Sequence, residues 1–273
     1  AKEILNAAKE ALMSEELIVE TADKVEEYLK GVKRISTGSK ALDDLLAGGV
    51  PCRSITTLAG PFATGKTQIC FQLAANTINE GLYVGWVETE PGTFTPHRIK
   101  EIAEKRGMKY DPTKILVVRA EKITTPAQQL LAYEAIWKKC RENDLPLGLL
   151  VVDSFSAKLR SHYIGRETLS PRSQEIGRHI GVLELIAAER NAAIVLTAQV
   201  MGIPDAGAQL ESRMRFGAPQ RPYGGEYFLH SSTYILFLTQ VASDVWEATL
   251  VDAPNLPRNK ARFRITERGV EDI

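Results

Sequence analysis

The residues that most constrain this chain are 60–67, which read G-P-F-A-T-G-K-T and match the pattern G-x-x-x-x-G-K-T. The two glycines let the backbone curl so that its N–H groups point inward, and the positive end of a following helix strengthens the resulting anion site. Lys66 can reach the β- and γ-phosphates of a nucleotide, and the Thr67 hydroxyl can bind Mg²⁺. The stretch therefore predicts a phosphate-binding loop that takes ATP and Mg²⁺.

The sequence on both sides of this loop supports the prediction. Residues 54–59 form a short apolar, β-branched run that is typical of a strand, and residues 67–80 carry apolar side chains at helical spacing. The alternative interpretation is a glycine-containing turn between a strand and a helix that binds nothing. A chance match to the pattern occurs in only about one chain per hundred of this length. The flanking strand and helix make a chance match rarer still, so nucleotide binding is favoured.

The composition bounds the class of protein. With 273 residues, 44% of them hydrophobic, the chain is long enough to form one large core. Lys+Arg and Asp+Glu each number 34, so any contact with nucleic acid has to be local. The three cysteines form no C-x-x-C pair, which argues against a zinc site or disulfide framework and is typical of a reducing cytosol. The apolar runs are too short to cross a bilayer, and we expect no membrane association.

From Ile35 onward, strand patterns and helix patterns alternate, which predicts a mostly parallel sheet with helices on both faces. The predicted strands are 54–59, 82–88, 115–119, 147–152 and 193–197, and the predicted helices are 67–80, 96–106, 126–143 and 171–190. After Ala198 the runs 234–238, 246–251 and 261–266 follow one another without helices. They indicate extra strands at one edge of the sheet.

The first part of the chain has a different pattern. We predict a helical segment and linker over residues 1–34 and an ATPase core over 35–273. One helix covers residues 1–12, and a second begins at Thr21 with an apolar stripe of Val25, Tyr28 and Leu29. Residues 17–22 between them are extended in character and apolar. This segment either adds as a strand to a neighbouring subunit's sheet or packs on its own domain.

Polar residues follow several of the predicted strands, and the carboxyl ends of parallel strands meet at one edge of the sheet. Asp153 ends a buried strand and is a candidate Mg²⁺ ligand; the alternative is a cap for the next turn. Glu88 and Glu90 share a face if their strand continues, and Glu90 is the candidate general base because it lies nearer the ligand; the alternative is a solvated loop acid. Gln199 is a candidate sensor of the γ-phosphate or an ordinary loop residue.

Two segments, 158–178 and 201–225, are predicted loops that carry an excess of arginine, the second with several glycines. Loops of this length are usually functional or disordered. Arginines on mobile backbone suit the phosphates of nucleic acid, with Phe216 or Met214 available to stack between bases. The alternative is a solvated charged face. The candidate DNA-binding residues are Arg160, Arg166, Arg172, Arg213, Arg215 and Arg221.

Taken together, these motifs resemble a recombinase of the RecA superfamily, most like the archaeal RadA and eukaryotic recombinase branch. The resemblance covers nearly the whole chain. Besides the phosphate loop, the matching pieces are ISTGS at 35–39, LD at 42–43, GGV at 48–50, TE at 89–90, GTF at 92–94, Arg98, VVDS at 151–154, YIGR at 163–166, QVM at 199–201, GG at 224–225, His230, DAP at 252–254 and LP at 256–257.

The resemblance implies an α/β fold: a RecA-like P-loop NTPase core with a twisted, mostly parallel sheet, helices on both faces, extra C-terminal strands and a short helical linker before it. It implies a DNA-dependent ATPase that binds single-stranded DNA as a filament, pairs it with homologous double-stranded DNA and exchanges strands. It also implies a homo-oligomer, as a helical filament or a ring, with possible recombinase paralogues as partners. The implied location is cytoplasmic, and nucleoid-associated if the source is archaeal.

The resemblance also assigns roles to individual residues. Glu90, Lys66 and Gln199 are the implied catalytic residues, Thr67 and Asp153 the metal ligands, and Gln199 and His230 the allosteric sensors that link nucleotide to DNA. The implied nucleotide-binding residues are Gly60, Pro61, Phe62, Ala63, Thr64, Gly65, Lys66, Thr67, Gln68 and Arg98, the last stacking on adenine. Asp252, Pro254, Leu256 and Pro257 would cover the nucleotide of the adjoining protomer.

Several departures from the family pattern predict a divergent member. Val19 and Ala22 match a polymerisation motif that normally begins with phenylalanine. Pro91 is an extra residue after Glu90, where it could displace the carboxylate, and Ala198 replaces an asparagine. The main alternative is therefore a paralogue or mediator that binds ATP and a partner recombinase without exchanging strands. A hexameric helicase on the same core is a further alternative.

Overall fold

The computed structural model describes residues 19–203 and 205–273, and at Arg166 and Glu226 the backbone alone. The helices are α1 (Ala22–Lys30), α2 (Lys40–Leu45), α3 (Lys66–Asn79), α4 (Pro96–Lys105), α5 (Pro126–Glu142), α6 (Phe155–His162), α7 (Leu169–Arg190), α8 (Ala206–Phe216) and α9 (Gly225–His230). The strands are β1 (Arg34–Ile35), β2 (Val50–Pro51), β3 (Ile55–Ala59), β4 (Tyr83–Glu88), β5 (Ile115–Val118), β6 (Leu147–Asp153), β7 (Ala193–Ala198), β8 (Val200–Gly202), β9 (Gln220–Pro222), β10 (Tyr234–Ala242), β11 (Val245–Asp252), β12 (Lys260–Thr266) and β13 (Gly269–Glu271).

Nine of these strands form one sheet in the order β13-β12-β11-β10-β3-β7-β6-β4-β5. The six strands from β10 to β5 are parallel, whereas β11, β12 and β13 are antiparallel at one edge. The fold class predicted from the alternation of strands and helices is thus confirmed. The carboxyl ends of β3, β4, β6 and β7 lie side by side, which brings the residues that follow these strands together.

The sheet separates two apolar layers. Along β6, Leu149 and Val151 belong to the layer that includes Phe71 and Trp86, whose rings stack at 5.1 Å. Leu150 and Val152 belong to the opposite layer, which is built on α5 and α7. Because successive strand residues point to opposite faces, a strand buried on both faces reads as one continuous apolar run.

The two arginine-bearing segments are not the loops that we predicted. In the first, α6 continues to His162 and α7 begins at Leu169, so that residues 163–168 lie between helices. The second contains β8, α8 and β9. The Asp205 side chain caps α8 by accepting from the Ala208 N–H at 2.8 Å, and Gly217 ends the helix with φ 76°.

The prediction that Phe216 is available to stack between bases is wrong. Helix α8 turns this residue inward, where its ring lies 5.2 Å from that of Phe237 and its side chain is buried. Met214, two residues earlier, points outward and is 81% exposed.

In the N-terminal segment, one helix lies where the apolar stripe of Val25, Tyr28 and Leu29 predicts one. Helix α1 begins after Thr21 and ends at Gly31, and its apolar stripe of Val25, Tyr28 and Leu29 remains partly exposed. Val19 is 96% exposed. The predicted helix over residues 1–12 and the first residues of the extended segment, Leu17 and Ile18, lie outside the described residues.

Among residues 19–203 and 205–273, no helix combines the length with the apolar character that a bilayer crossing requires.

The central layer generates a stability prediction. Leu149→Ala should lower the free energy of unfolding by about 2–5 kcal/mol, because Leu149 is completely buried and its truncation leaves a cavity. Leu131→Ala is the matched control: Leu131 is 58% exposed, and its truncation should change stability by no more than about 0.5 kcal/mol. Urea unfolding of the two variants gives the comparison, and equal losses would contradict the assignment of β6 to the core.

Candidate nucleotide-binding site

The phosphate-binding loop lies between the end of β3 at Ala59 and the start of α3 at Lys66. Gly65 adopts the left-handed conformation, with φ 88°, and a Cβ added to it would lie 2.8 Å from Ile265 Cδ1. The positive φ explains why glycine is favoured there, whereas the end of the Ile265 side chain could move aside. Ala63 also has a positive φ, 62°. The loop thus has the curled backbone that the pattern predicts.

A cavity of about 930 Å³ opens in front of this loop. Its walls bring together residues that are far apart in the sequence and that were predicted from different motifs. The predicted site residues that line it are Gly60, Phe62, Ala63, Thr64, Gly65, Lys66, Thr67, Gln68, Glu90, Arg98, Asp153, Arg160 and Gln199. Pro61 contributes its carbonyl, which accepts a hydrogen bond from Lys66.

The Lys66 ammonium lies inside the loop. It donates to the carbonyls of Gly60 at 2.8 Å and Pro61 at 2.6 Å. Burial lowers the pKa of Lys66 to about 8, against the opposing influence of Asp153 and Glu90. A cation that is held by carbonyls and penalised by burial fits a site for an anionic phosphate group, which would offset that penalty.

Asp153 is the most buried acid of the cavity wall. Thr67 Oγ1 donates to its Oδ2 at 2.9 Å, and Thr197 Oγ1 donates to its Oδ1 at 2.5 Å. Burial raises the pKa of Asp153, against these two hydrogen bonds. The hydroxyl of Thr67 and the carboxylate of Asp153 are hard oxygen donors of the kind that Mg²⁺ prefers, so the pair fits the predicted metal role.

Glu90 and Gln199, which were predicted from separate strand ends, are in direct contact. Gln199 Nε2 donates to Glu90 Oε1 at 2.9 Å and to Oε2 at 3.1 Å. Pro91 therefore leaves the Glu90 carboxylate in the cavity wall. The Gln199 amide thus holds the Glu90 carboxylate in the wall of the cavity that the phosphate-binding loop and Asp153 also line.

Glu88 does not share this position, contrary to the expectation from strand alternation. Strand β4 ends at Glu88, so the alternation stops before Glu90. The Glu88 carboxylate is buried and accepts from the backbone N–H groups of Phe94 at 3.1 Å and Ala120 at 3.3 Å. It holds two loops in place outside the cavity.

Arg98 is held within the cavity wall by several acceptors. Its Nε donates to Gln68 Oε1 at 3.0 Å, and its terminal nitrogens donate to Glu101 and to the carbonyls of Thr266 and Glu267. These contacts fix the plane of the guanidinium, as a surface for stacking on a base requires.

Some predicted residues lie away from this cavity. Asp252 is the last residue of β11, at the opposite end of that strand from Trp246, and beyond it Pro254 borders a separate groove with Tyr28. His230 is exposed at the end of α9.

The six predicted DNA-binding arginines lie within the two arginine-bearing segments, residues 158–178 and 201–225. Arg160, Arg213 and Arg221 are exposed. Arg172 lies over the ring of Tyr223 and Arg215 over that of Phe216, with guanidinium carbons 5.0 and 5.2 Å from the ring centroids. The side chain of Arg166 lies outside the described residues.

Sequence reasoning missed part of the cavity wall. Thr197 precedes Gln199 at the end of β7, and the rule that ligands gather at strand ends could have identified it. Trp246, Ile265, Thr266 and Glu267 come from the C-terminal strands and carry no short motif. Only the fold brings them to the loop.

Comparison with known families gives one match that spans this whole site. A family model described as Rad51 matches residues 29–273. The match therefore contains every residue named in the cavity wall.

The buried ammonium of Lys66 generates a prediction about pH. The folded amine loses its proton near pH 8, whereas the unfolded amine keeps it until about pH 10.5. Since the unfolded state binds more protons in this window, the free energy of unfolding of the nucleotide-free protein should rise with pH there, by roughly 2–3 kcal/mol from Lys66.

Lys66→Met should lack this rise and be more stable than the wild type at pH 7, as urea unfolding at pH 7 to 10.5 would measure. Tyrosine ionisation is common to both proteins. Burial holds the pKa of the Cys70 thiol well above its ordinary value, although Lys66 lowers it, so the difference between the two proteins reports mainly on Lys66. Parallel pH dependence in the two proteins would contradict the lowered pKa.

Proposed function

The chain belongs to the Rad51 family, and from this premise we propose that it is a DNA-dependent ATPase that assembles on single-stranded DNA and promotes homologous pairing and strand exchange. In this proposal, ATP and Mg²⁺ occupy the cavity described above, and their binding prepares the two arginine-bearing segments for DNA. The proposed location is the cytoplasm, in association with the nucleoid if the source is archaeal.

The observation that supports this coupling most is the set of contacts made by Gln199. Its side chain donates to the Glu90 carboxylate inside the cavity. Its backbone N–H donates to Ser156 Oγ at 3.1 Å, and its carbonyl accepts from the Tyr223 N–H at 2.9 Å. A movement of Glu90 toward bound phosphate would therefore act on both ends of residues 199–223, which include Arg213 and Arg221.

Tyr223 extends this connection to the first arginine-bearing segment. Its hydroxyl donates to the carbonyls of Leu159 and Tyr163, each at 3.4 Å, and the Arg172 guanidinium lies over its ring. Because Tyr223 is buried, a shift at Gln199 would reach both segments through one side chain. ATP binding would then favour one arrangement of both segments by a shift of population.

The residues of the cavity divide the chemistry of hydrolysis among them. The loop N–H groups and Lys66 would hold the phosphates, and Thr67 with Asp153 would hold Mg²⁺, which supplies neutralisation of phosphate charge when bound. The Glu90 carboxylate would take a proton from the attacking water as general base. The Gln199 amide would orient Glu90 and register whether the γ-phosphate is present.

Assembly of the protein would use surfaces that do not line its own cavity. Val19, together with Ala22, would dock on a neighbouring copy, and Asp252, Pro254, Leu256 and Pro257 would cover the nucleotide of that copy. Asp252, Pro254 and Pro257 are exposed, which supports this role. Contacts of this head-to-tail kind propagate into a helical filament unless the rotation closes a ring.

A paralogue or mediator that binds ATP and a partner recombinase is the second candidate. The observation in its favour is Val19, which buries less apolar area than an aromatic anchor and would weaken self-assembly. Solution mass with ATP and joint-molecule assays would separate the two candidates. ATP binding without an increase in solution mass and without joint molecules would identify the protein as a paralogue or mediator.

Glu90→Gln tests the proposed division of labour. The amide keeps the size of the carboxylate but cannot accept the proton from water. ATP turnover with single-stranded DNA should therefore fall by at least about 100-fold. Binding of ATP, and the gain in DNA affinity that ATP gives, should persist, as calorimetry and fluorescence anisotropy would measure.

Two variants complete the experiment. Glu104→Gln is the matched control, since Glu104 is an exposed acid on α4, and it should hydrolyse ATP as the wild type does. Lys66→Ala should lose both ATP binding and ATP-dependent DNA binding. Normal turnover in Glu90→Gln, or DNA binding by the wild type that is indifferent to ATP, would contradict the proposal.

A further inference from the structure

Trp246 is the aromatic residue of the cavity wall that no motif identified. It is the second residue of β11 and lies directly opposite Phe263 of β12 in the antiparallel register. The two rings stack at 6.4 Å with an interplanar angle of 25°, and Phe263 is completely buried. The cross-strand pair therefore holds the indole in a defined orientation.

The indole N–H reaches the phosphate-binding loop. Trp246 Nε1 donates to the Ala63 carbonyl at 3.2 Å. Ala63 has φ 62°, in the left-handed region that residues other than glycine rarely adopt. The hydrogen bond from the indole N–H therefore restrains the backbone of the loop at this residue.

The next part of the loop rests on the same strands. A Cβ on Gly65 would lie 2.8 Å from Ile265 Cδ1 and 3.7 and 3.8 Å from ring atoms of Phe263. Trp246, Phe263 and Ile265 thus form one surface beneath the loop, which we call the C-terminal platform.

The platform also borders the space in front of the loop. Trp246 and Ile265 line the cavity together with Thr266 and Glu267, whose carbonyls hold Arg98. The indole therefore presents apolar ring surface to the cavity while its N–H is engaged with the loop. A ligand in the cavity would therefore meet the same indole that contacts the loop.

We propose that Trp246 is a positioning residue for nucleoside triphosphate: its N–H holds the phosphate-binding loop in its binding conformation through Ala63, and its ring forms part of the wall that the nucleotide contacts. This inference rests on the proposed ATP binding and adds the C-terminal strands to the site. It also makes Trp246 an internal spectroscopic reporter, since Trp86 and Trp137 are buried in the core, 0% and 3% exposed.

The test uses the whole chain, the Mg²⁺ complex of a non-hydrolysable ATP analogue, and two matched variants. Trp246→Phe removes the N–H and keeps a ring on Phe263. Trp137→Phe makes the same change at a remote tryptophan whose N–H also has a partner, Glu189 Oε2 at 2.5 Å. Trp246→Leu also removes the N–H and keeps an apolar side chain on Phe263, in case Trp246→Phe does not fold.

Two measurements follow from the proposal. Calorimetry should show affinity for the analogue weakened by roughly 3- to 10-fold in the Trp246 variants, the equivalent of one lost hydrogen bond, and unchanged in Trp137→Phe. The analogue should change tryptophan emission in the wild type and in Trp137→Phe, and most of that change should disappear in Trp246→Phe. A purely structural role for Trp246 would leave no such spectroscopic signature.

The outcomes separate this inference from the proposed function. Affinity in the Trp246 variants equal to that of the wild type, or an emission change that persists in Trp246→Phe, would overturn the role of Trp246 and leave ATP binding intact. A wild type that shows no uptake of the analogue by calorimetry would instead overturn the proposed ATP binding itself.

Discussion

The hydrogen bonds from Gln199 to the Glu90 carboxylate connect the candidate nucleotide-binding cavity to residues 200–223. On one side of the pair lie the phosphate-binding loop and Asp153, and on the other lies the chain from Val200 to Tyr223. The contact exists because β4 and β7 end at the same edge of a parallel sheet, so that side chains 109 residues apart meet. The pair is therefore a polar contact between the cavity and residues 200–223 that a bound ligand would change.

The charges around the cavity explain why a nucleotide would have a large effect there. Burial works against the charged forms of both Lys66 and Asp153, lowering one pKa and raising the other. A phosphate beside the ammonium and a divalent cation beside the carboxylate would each offset that penalty. Binding of these ligands would remove that penalty, and part of the binding energy would then be available to move Glu90 and Gln199.

Much of the site could be predicted from the sequence because its parts follow a local rule. Residues 60–67, Asp153, Glu90 and Gln199 each follow a strand, and the ends of parallel strands converge. The C-terminal platform could not be predicted in this way, since Trp246 lies 183 residues from Ala63 and the register of β11 and β12 decides its place. The helix α8 was missed although its signals were present: Asp205 is a capping residue and Gly217 a terminator. The arginine and glycine content of residues 201–225 predicts a loop, and the two capping signals outweigh it.

The central claim is that nucleotide in the cavity changes residues 199–223 through Gln199. Hydrogen–deuterium exchange of the intact protein, with and without the Mg²⁺ complex of a non-hydrolysable ATP analogue, tests it most directly. The account predicts that exchange slows at residues 60–67 and that exchange at residues 199–223 also changes. Both effects should occur at the same analogue concentration and without DNA. Protection confined to residues 60–67, with 199–223 unchanged at saturation, would contradict the account.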